Sequence, residues 1–286
     1  MDFTKLQGAA NDFVLIEAEG IQRDWSQLAL AICDRHLGVG ADSLLLMLLS
    51  DKADFLMRTF DADGSEAETC GNGIRCLARY ALEKGKVNRD RTEITVETAA
   101  GISRVKSETR DGRVYQFRAN MGKPRFKADE IPIAPEKSVG DIVDITGMLS
   151  CKTTVKGIEL TLNLVSMGNP HAVHFIKQFV KDFPLTEIGP LVENLPLFPR
   201  RVNFEIARLT GKDRIEARVW ERGVGETLAC GTGACAVAVA AKILGYTERE
   251  VEIELPGGVL DAEWDGEDEV VLGGPAEIVF EGNWPD

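Results

Sequence analysis

The hydrophobic pattern predicts strands in "DFVLIE" (12–17), "DFLMRTF" (54–60) and "EITVET" (93–98), the last with apolar and polar residues alternating at a period of two. The alternation continues through "SRVKSETRDGRVYQFRAN" (103–120), where Asp111-Gly112 marks a hairpin turn. Helical spacing replaces it in "WSQLALAICDRH" (25–36) and after Cys70. Later in the chain the pattern predicts strands in "IELTLNLVSM" (158–167), "AVHFI" (172–176), "RIEARVW" (214–220) and "EVEIEL" (250–255), with helices over 184–194 and after Cys230. Between the two series, "GKPRFKADEIPIAPEK" (122–137) carries three prolines and reads as a connector. Many strands and one central helix per half predict an α+β class, and the short strand spacing disfavours a doubly wound parallel sheet.

The two series are copies. Cys70-Gly71-Asn72-Gly73 and Cys230-Gly231-Thr232-Gly233 stand 160 residues apart. "GAAND" places Asn11 before one hydrophobic run and "MGNPH" places Asn169 before another, 158 residues on. Asp61 in "FDADGSEAE" and Glu221 in "WERGVGETL" are again 160 apart. The glycines that close the following strands, Gly101 and Gly258, differ by 157, and the turns Asp111-Gly112 and Asp265-Gly266 by 154. Features that recur in one order at one approximate offset signify a duplicated unit. The expected architecture is two pseudo-symmetric domains, 1–122 and 123–274, with the tail 275–286 returning to the first. Each is expected to be a mixed, mostly antiparallel barrel-like sheet around a central helix, with the active site in the cleft between them.

Length agrees with this division, since 286 residues give each half enough chain to bury its own core. A net charge of −13 argues against a nucleic-acid or anionic-membrane surface, and so favours a small-molecule ligand. The opening "MDFTKLQG" lacks a signal pattern, and the runs "LLLMLL" and "ACAVAVAA" are too short to span a membrane. The expected location is the cytoplasm. There the six cysteines should be thiols. The spacings of Cys70 to Cys76 and of Cys230 to Cys235 suit zinc poorly, and no metal site is expected.

A glycine-rich turn that opens a helix leaves backbone N–H groups pointing outward with the positive end of the helix dipole behind them. Such a place binds a carboxylate and lowers the pKa of a thiol. Two of them, one per half, suggest a two-base device. Inversion at an amino-acid α-carbon needs a proton acceptor on one face and a donor on the other, which is a chemical reason for duplication. Cys76 and Cys235 fall inside the helices, where cysteine behaves as a small apolar residue.

"CGNGIRC" with "ERGVGETLACGTGACA", preceded by "GAANDF" and "MGNPH", resembles the diaminopimelate epimerase family. The likeness runs from "KLQGAANDF" to "GPAEIVFEG". It implies interconversion of LL- and meso-diaminopimelate without a cofactor, in lysine and peptidoglycan precursor synthesis, with Cys70 and Cys230 exchanging the parts of thiolate base and thiol acid. His171 and Glu221 match residues that assist proton movement. Gly71, Asn72, Gly231 and Thr232 match backbone donors to the reacting carboxylate. Asn11, Asn169, Asn203, Glu221 and Arg222 match substrate contacts, and Ser43 and Asp61 fall among the substrate-binding positions. Three positions depart from the family pattern. Asp61 stands where most relatives carry Asn, Ser43 where Gly or Gln is common, and Ala10 where Gly is usual. Asp61 leaves substrate preference open, so the alternatives are a two-cysteine racemase for another amino acid and a non-catalytic amino-acid binding protein. A homodimer is the expected assembly.

Overall fold

The computed structural model describes residues 1–68, 70–88, 90–110, 113–138 and 140–285, so the Asp111-Gly112 turn lies outside the described residues. The chain divides into two compact units, Met1–Asn120 with Gly273–Asp286, and Met121–Leu272.

In the first unit, strand Asp2–Gly8 pairs antiparallel with Asn11–Glu17, which pairs parallel with Ser43–Leu48. The latter is antiparallel to Phe55–Asp61, which is parallel to Glu93–Thr98, itself antiparallel to Gly101–Arg110. A parallel pair cannot be joined by a tight turn and needs a crossover. Helices α1 (Trp25–Ile32) and α2 (Gly71–Glu83) supply the two crossovers. The C-terminal strand Glu277–Asn283 returns to pair with Asp2–Gly8.

The second unit repeats the same alternation. Ile158–Ser166 is antiparallel to Pro170–Phe175, parallel pairing follows to Asn203–Leu209, then antiparallel to Arg214–Glu221. Parallel pairing to Glu250–Leu255 and antiparallel pairing to Gly258–Glu263 complete it. Its crossovers are α3 (Leu185–Glu193) and α4 (Gly231–Ile243). The repeat read in the sequence is therefore a repeat of topology. Within each unit the cysteine helix touches strands on many sides. The residues of α4 explain this: "GACAVAVAA" is apolar and small all round, and Gly233 to Ala241 are buried. By contrast α1 and α3 bury one face each, through Leu28, Ala29 and Ile32 and through Leu185, Ile188 and Val192.

Two departures from the sequence reading have local causes. Helix α1 stops at Ile32 and not at 36, because Asp34 Oδ1 accepts the backbone N–H groups of His36 and Leu37 at 2.7 Å, turning the chain. Strands Asp2–Gly8, Ser43–Leu48 and Asn203–Leu209 escaped the alternation test because both of their faces are largely buried. The turn from Gly8 to Asn11 places Ala9 and Ala10 at φ of 54° and 62°. That left-handed pair gives the mirror-image turn that suits a two-residue hairpin, at a conformational cost that glycine would avoid. It delivers Asn11 to the head of its strand.

Candidate active site

Cys70 and Cys230 are the N-caps of α2 and α4. Both have extended backbone, and each sulfur accepts the N–H of the third residue on, Gly73 or Gly233, at 3.4 Å. Sulfur thus takes the place that Ser, Thr, Asp or Asn usually fills. The residues that follow, Gly71 and Asn72 or Gly231 and Thr232, belong to the first helical turns, whose N–H groups have no intrahelical acceptor. All six cysteines are thiols. Cys76 and Cys235 are fully buried, and burial pushes the Cys76 thiol well above its ordinary range.

The first unit gathers Asn11, Asn72, Ser43 and Asp61. Asn72 Nδ2 donates to Asn11 Oδ1 at 3.0 Å, while the wholly buried Arg75 donates to Asn72 Oδ1 at 2.6 Å. Asn11 Nδ2 in turn donates to Asp42 at 2.7 Å. Behind it, Arg35 grips Asp12 and Asp42 at 2.8 and 2.6 Å, and Lys5 donates to Asp12 at 2.6 Å. Burial alone would raise the Asp12 pKa, but the hydrogen bonds and charges of Arg35 and Lys5 outweigh it and bring it down to about 2. Ser43 and Asp61 are register partners, and Ser43 Oγ donates to Asp61 Oδ1 at 2.9 Å. Burial pushes the Asp61 carboxyl up against that hydrogen bond, with Asp63 and Asp42 adding to the rise.

The second unit is built differently around the same cap. Thr232 Oγ1 lies 3.5 Å from Cys230 Sγ and receives Asn169 Nδ2 at 3.2 Å. His171 is fully buried, with Nε2 at 2.9 Å from Asn169 Oδ1 and Nδ1 at 2.7 Å from Glu205 Oε1. Glu221 accepts the Thr227 hydroxyl at 2.5 Å, and burial holds its carboxyl above the usual range although hydrogen bonds from Thr227 and Cys230 oppose the shift. Burial likewise raises the Cys230 thiol well above its ordinary value, helped by the Glu221 charge. Asn203 is committed to backbone: its amide donates to Pro170 O at 2.9 Å and its oxygen accepts the Arg222 N–H at 2.8 Å. It holds the Arg222 turn. Arg222 itself spends one guanidinium N–H on Arg200 O at 3.2 Å.

Each unit therefore assembles its own predicted residues. In the first these are Asn11, Ser43, Asp61, Cys70, Gly71 and Asn72. In the second they are Asn169, His171, Asn203, Glu221, Arg222, Cys230, Gly231 and Thr232. Sequence reasoning missed the residues that hold these in place, chiefly Asp42, Arg75, Glu205 and Thr227. For Arg75 and Glu205 a signal existed, since each is a charge set inside an otherwise apolar element, "GIRCLA" and "FEIA".

Among the described residues, no helix is long and apolar enough to cross a membrane. The chain matches a family profile described as diaminopimelate epimerase over residues 3–127 and 163–279. It is 45% identical to the diaminopimelate epimerase of Pelotomaculum thermopropionicum, covering 100% of this chain and 99% of that one. Identity to the diaminopimelate epimerase of Carboxydothermus hydrogenoformans is 45%, covering 99% of each. Among solved structures, a probable proline racemase from Agrobacterium radiobacter superposes with a TM-score of 0.70 at 15% identity, covering 99% of this chain and 92% of that one. A Bacillus anthracis phenazine biosynthesis protein of the PhzF family gives a TM-score of 0.69 at 20% identity, covering 99% and 98%. These two likenesses are of fold.

Proposed function

Because the chain belongs to the diaminopimelate epimerase family, we propose that it interconverts LL- and meso-diaminopimelate by a two-base thiol mechanism that uses no cofactor. The observation that carries this reading is the pair of sulfur-capped helix starts in matching places of a duplicated topology. One thiolate takes the α-proton, and the C–H electron pair passes to the α-carbon and into the carboxylate. The other thiol gives its proton to the opposite face. The S–H bond formed on one side replaces the one broken on the other, so the enzyme finishes with the two roles exchanged. N–H groups of the first turns of α2 and α4 suit the charge that spreads onto the carboxylate. His171 and Glu221 serve the Cys230 thiol, and the asparagines, Ser43, Asp61 and Arg222 bind the rest of the substrate.

The product would feed lysine and peptidoglycan precursor synthesis in the cytoplasm, with the enzyme a homodimer. The relatives' names support the pathway, and six cysteines outside any disulfide are compatible with a reducing compartment. Proton NMR in D2O tests the chemistry. With LL-diaminopimelate and reduced enzyme, the α-signal should fall as the meso isomer appears. Absence of exchange with diaminopimelate, alongside racemisation of a different amino acid, would transfer the mechanism to that substrate and mark Asp61 as the determinant of a changed preference.

A further inference from the structure

His171 and Glu205 lie on the parallel strands Pro170–Phe175 and Asn203–Leu209, with side chains 0% and 1% exposed. His171 Nδ1 faces the carboxylate oxygen Oε1 of Glu205 at 2.7 Å. Its Nε2 faces Asn169 Oδ1 at 2.9 Å. The Asn169 amide nitrogen is committed to Thr232 Oγ1, so the oxygen it turns toward His171 can only accept. An imidazole held between two acceptors needs a proton on each nitrogen. The other carboxylate nearby is Glu221, which feels both His171 and Glu205 and in turn faces Cys230.

The first unit shows that the fold does not demand this pair. There Phe13 precedes its parallel partner strand just as His171 does, with Phe13 opposite Ser43 and His171 opposite Asn203. Two residues beyond these partners stand Leu45 and Glu205. A Cβ on Gly73 would meet Leu45 Cδ2 at 3.0 Å, and a Cβ on Gly233 would meet Glu205 Oε1 at 3.0 Å. The same niche beside the cysteine helix is thus filled by Phe and Leu in one unit and by His and Glu in the other. Packing alone is served by the apolar pair, so the ionisable pair answers to something else.

We infer that Glu205 is a positioning residue of the Cys230 half-site: it retains the proton on His171 Nδ1, fixing the ring as an imidazolium whose Nε2–H orients Asn169 and, through it, the Thr232 hydroxyl beside the Cys230 sulfur. The importance of Cys230 rests on the proposed function, but the proton count at His171 does not. The inference is tested on the full-length protein labelled with 15N-histidine, whose three histidines make assignment tractable with a His171→Phe control. At about pH 7.5 both His171 ring nitrogens should carry protons. Glu205→Leu, which offers Nδ1 no acceptor, should leave one nitrogen bare and lower kcat on the order of 10–100-fold, as loss of the outer partner does for metal-bound histidines. Glu205→Gln, whose amide oxygen still accepts, should lower it less. KM should stay within about twofold. A bare nitrogen in the wild-type ring, as a reversed Asn169 amide would produce, overturns the inference. So does a ring unchanged by Glu205→Leu. If neither variant folds, the wild-type spectrum alone decides. A doubly protonated ring in a protein that exchanges no α-proton of diaminopimelate would overturn the proposed substrate and leave this assignment standing.

Discussion

Asp12 anchors the frame behind Asn11, and its replacement by asparagine should reveal itself most clearly through pH. Its side chain is 18% exposed and faces two cations, Lys5 and Arg35. Their attraction brings its pKa from an ordinary 3.8 to about 2. A carboxyl whose folded pKa is depressed adds stability that is fully present above its unfolded pKa and is lost as pH falls toward the folded value. At 1.36 kcal/mol per pH unit, the shift amounts to about 2 kcal/mol at pH 7, of which about half is gone by pH 3. The amide that replaces the carboxyl in Asp12→Asn does not titrate in this range, so its remaining hydrogen bonds offset both pH values equally. The wild-type advantage over Asp12→Asn, read from urea unfolding followed by circular dichroism, should therefore shrink by about 1 kcal/mol between pH 7 and pH 3. An advantage that is the same at both values would show that Asp12 is not held ionised by Lys5 and Arg35, and the account of this frame would fail.

Other consequences are more local. Glu221→Gln removes a carboxylate that burial disfavours, so at pH 7 the variant should melt no lower than wild type while kcat falls about 100-fold; melting curves and epimerisation assays measure the two effects separately. Gly233→Ala drives a methyl to 3.0 Å from the Glu205 carboxylate and 3.4 Å from Cys230 Sγ, and should cost about 1–3 kcal/mol along with activity. The matching Gly73→Ala meets the flexible tip of Leu45 and should cost clearly less in the same unfolding assay. Ala10→Gly relieves a left-handed alanine and should be neutral or stabilising by up to about 1 kcal/mol, checked by the same denaturation midpoint.

The duplication was legible because glycine, cysteine and asparagine are demanded one by one at the helix starts and turns, so their spacing survives in the sequence. Period-two strands with one polar face were legible for the same reason. Ser43–Leu48 was not, since a strand buried on both sides carries no alternation, and "SLLLML" reads equally as part of a helix. The supporting shell was hidden for a different reason. Asp42 and Thr227 are ordinary turn-compatible residues whose importance comes from what approaches them across 31 and 6 positions of chain, Asn11 and Glu221. The family resemblance implies a substrate contact for Asn203, and the structure adds that its side chain is occupied in shaping the Arg222 turn.

The sulfur caps of α2 and α4 carry a consequence for the reaction cycle. A sulfur that accepts an N–H through a lone pair does so whether or not it bears hydrogen. Gaining or losing the proton therefore leaves the helix start intact. In the proposed reaction, turnover can alternate the two thiols indefinitely without unmaking any piece of backbone, so the scaffold at the end of one conversion is already the scaffold for its reverse.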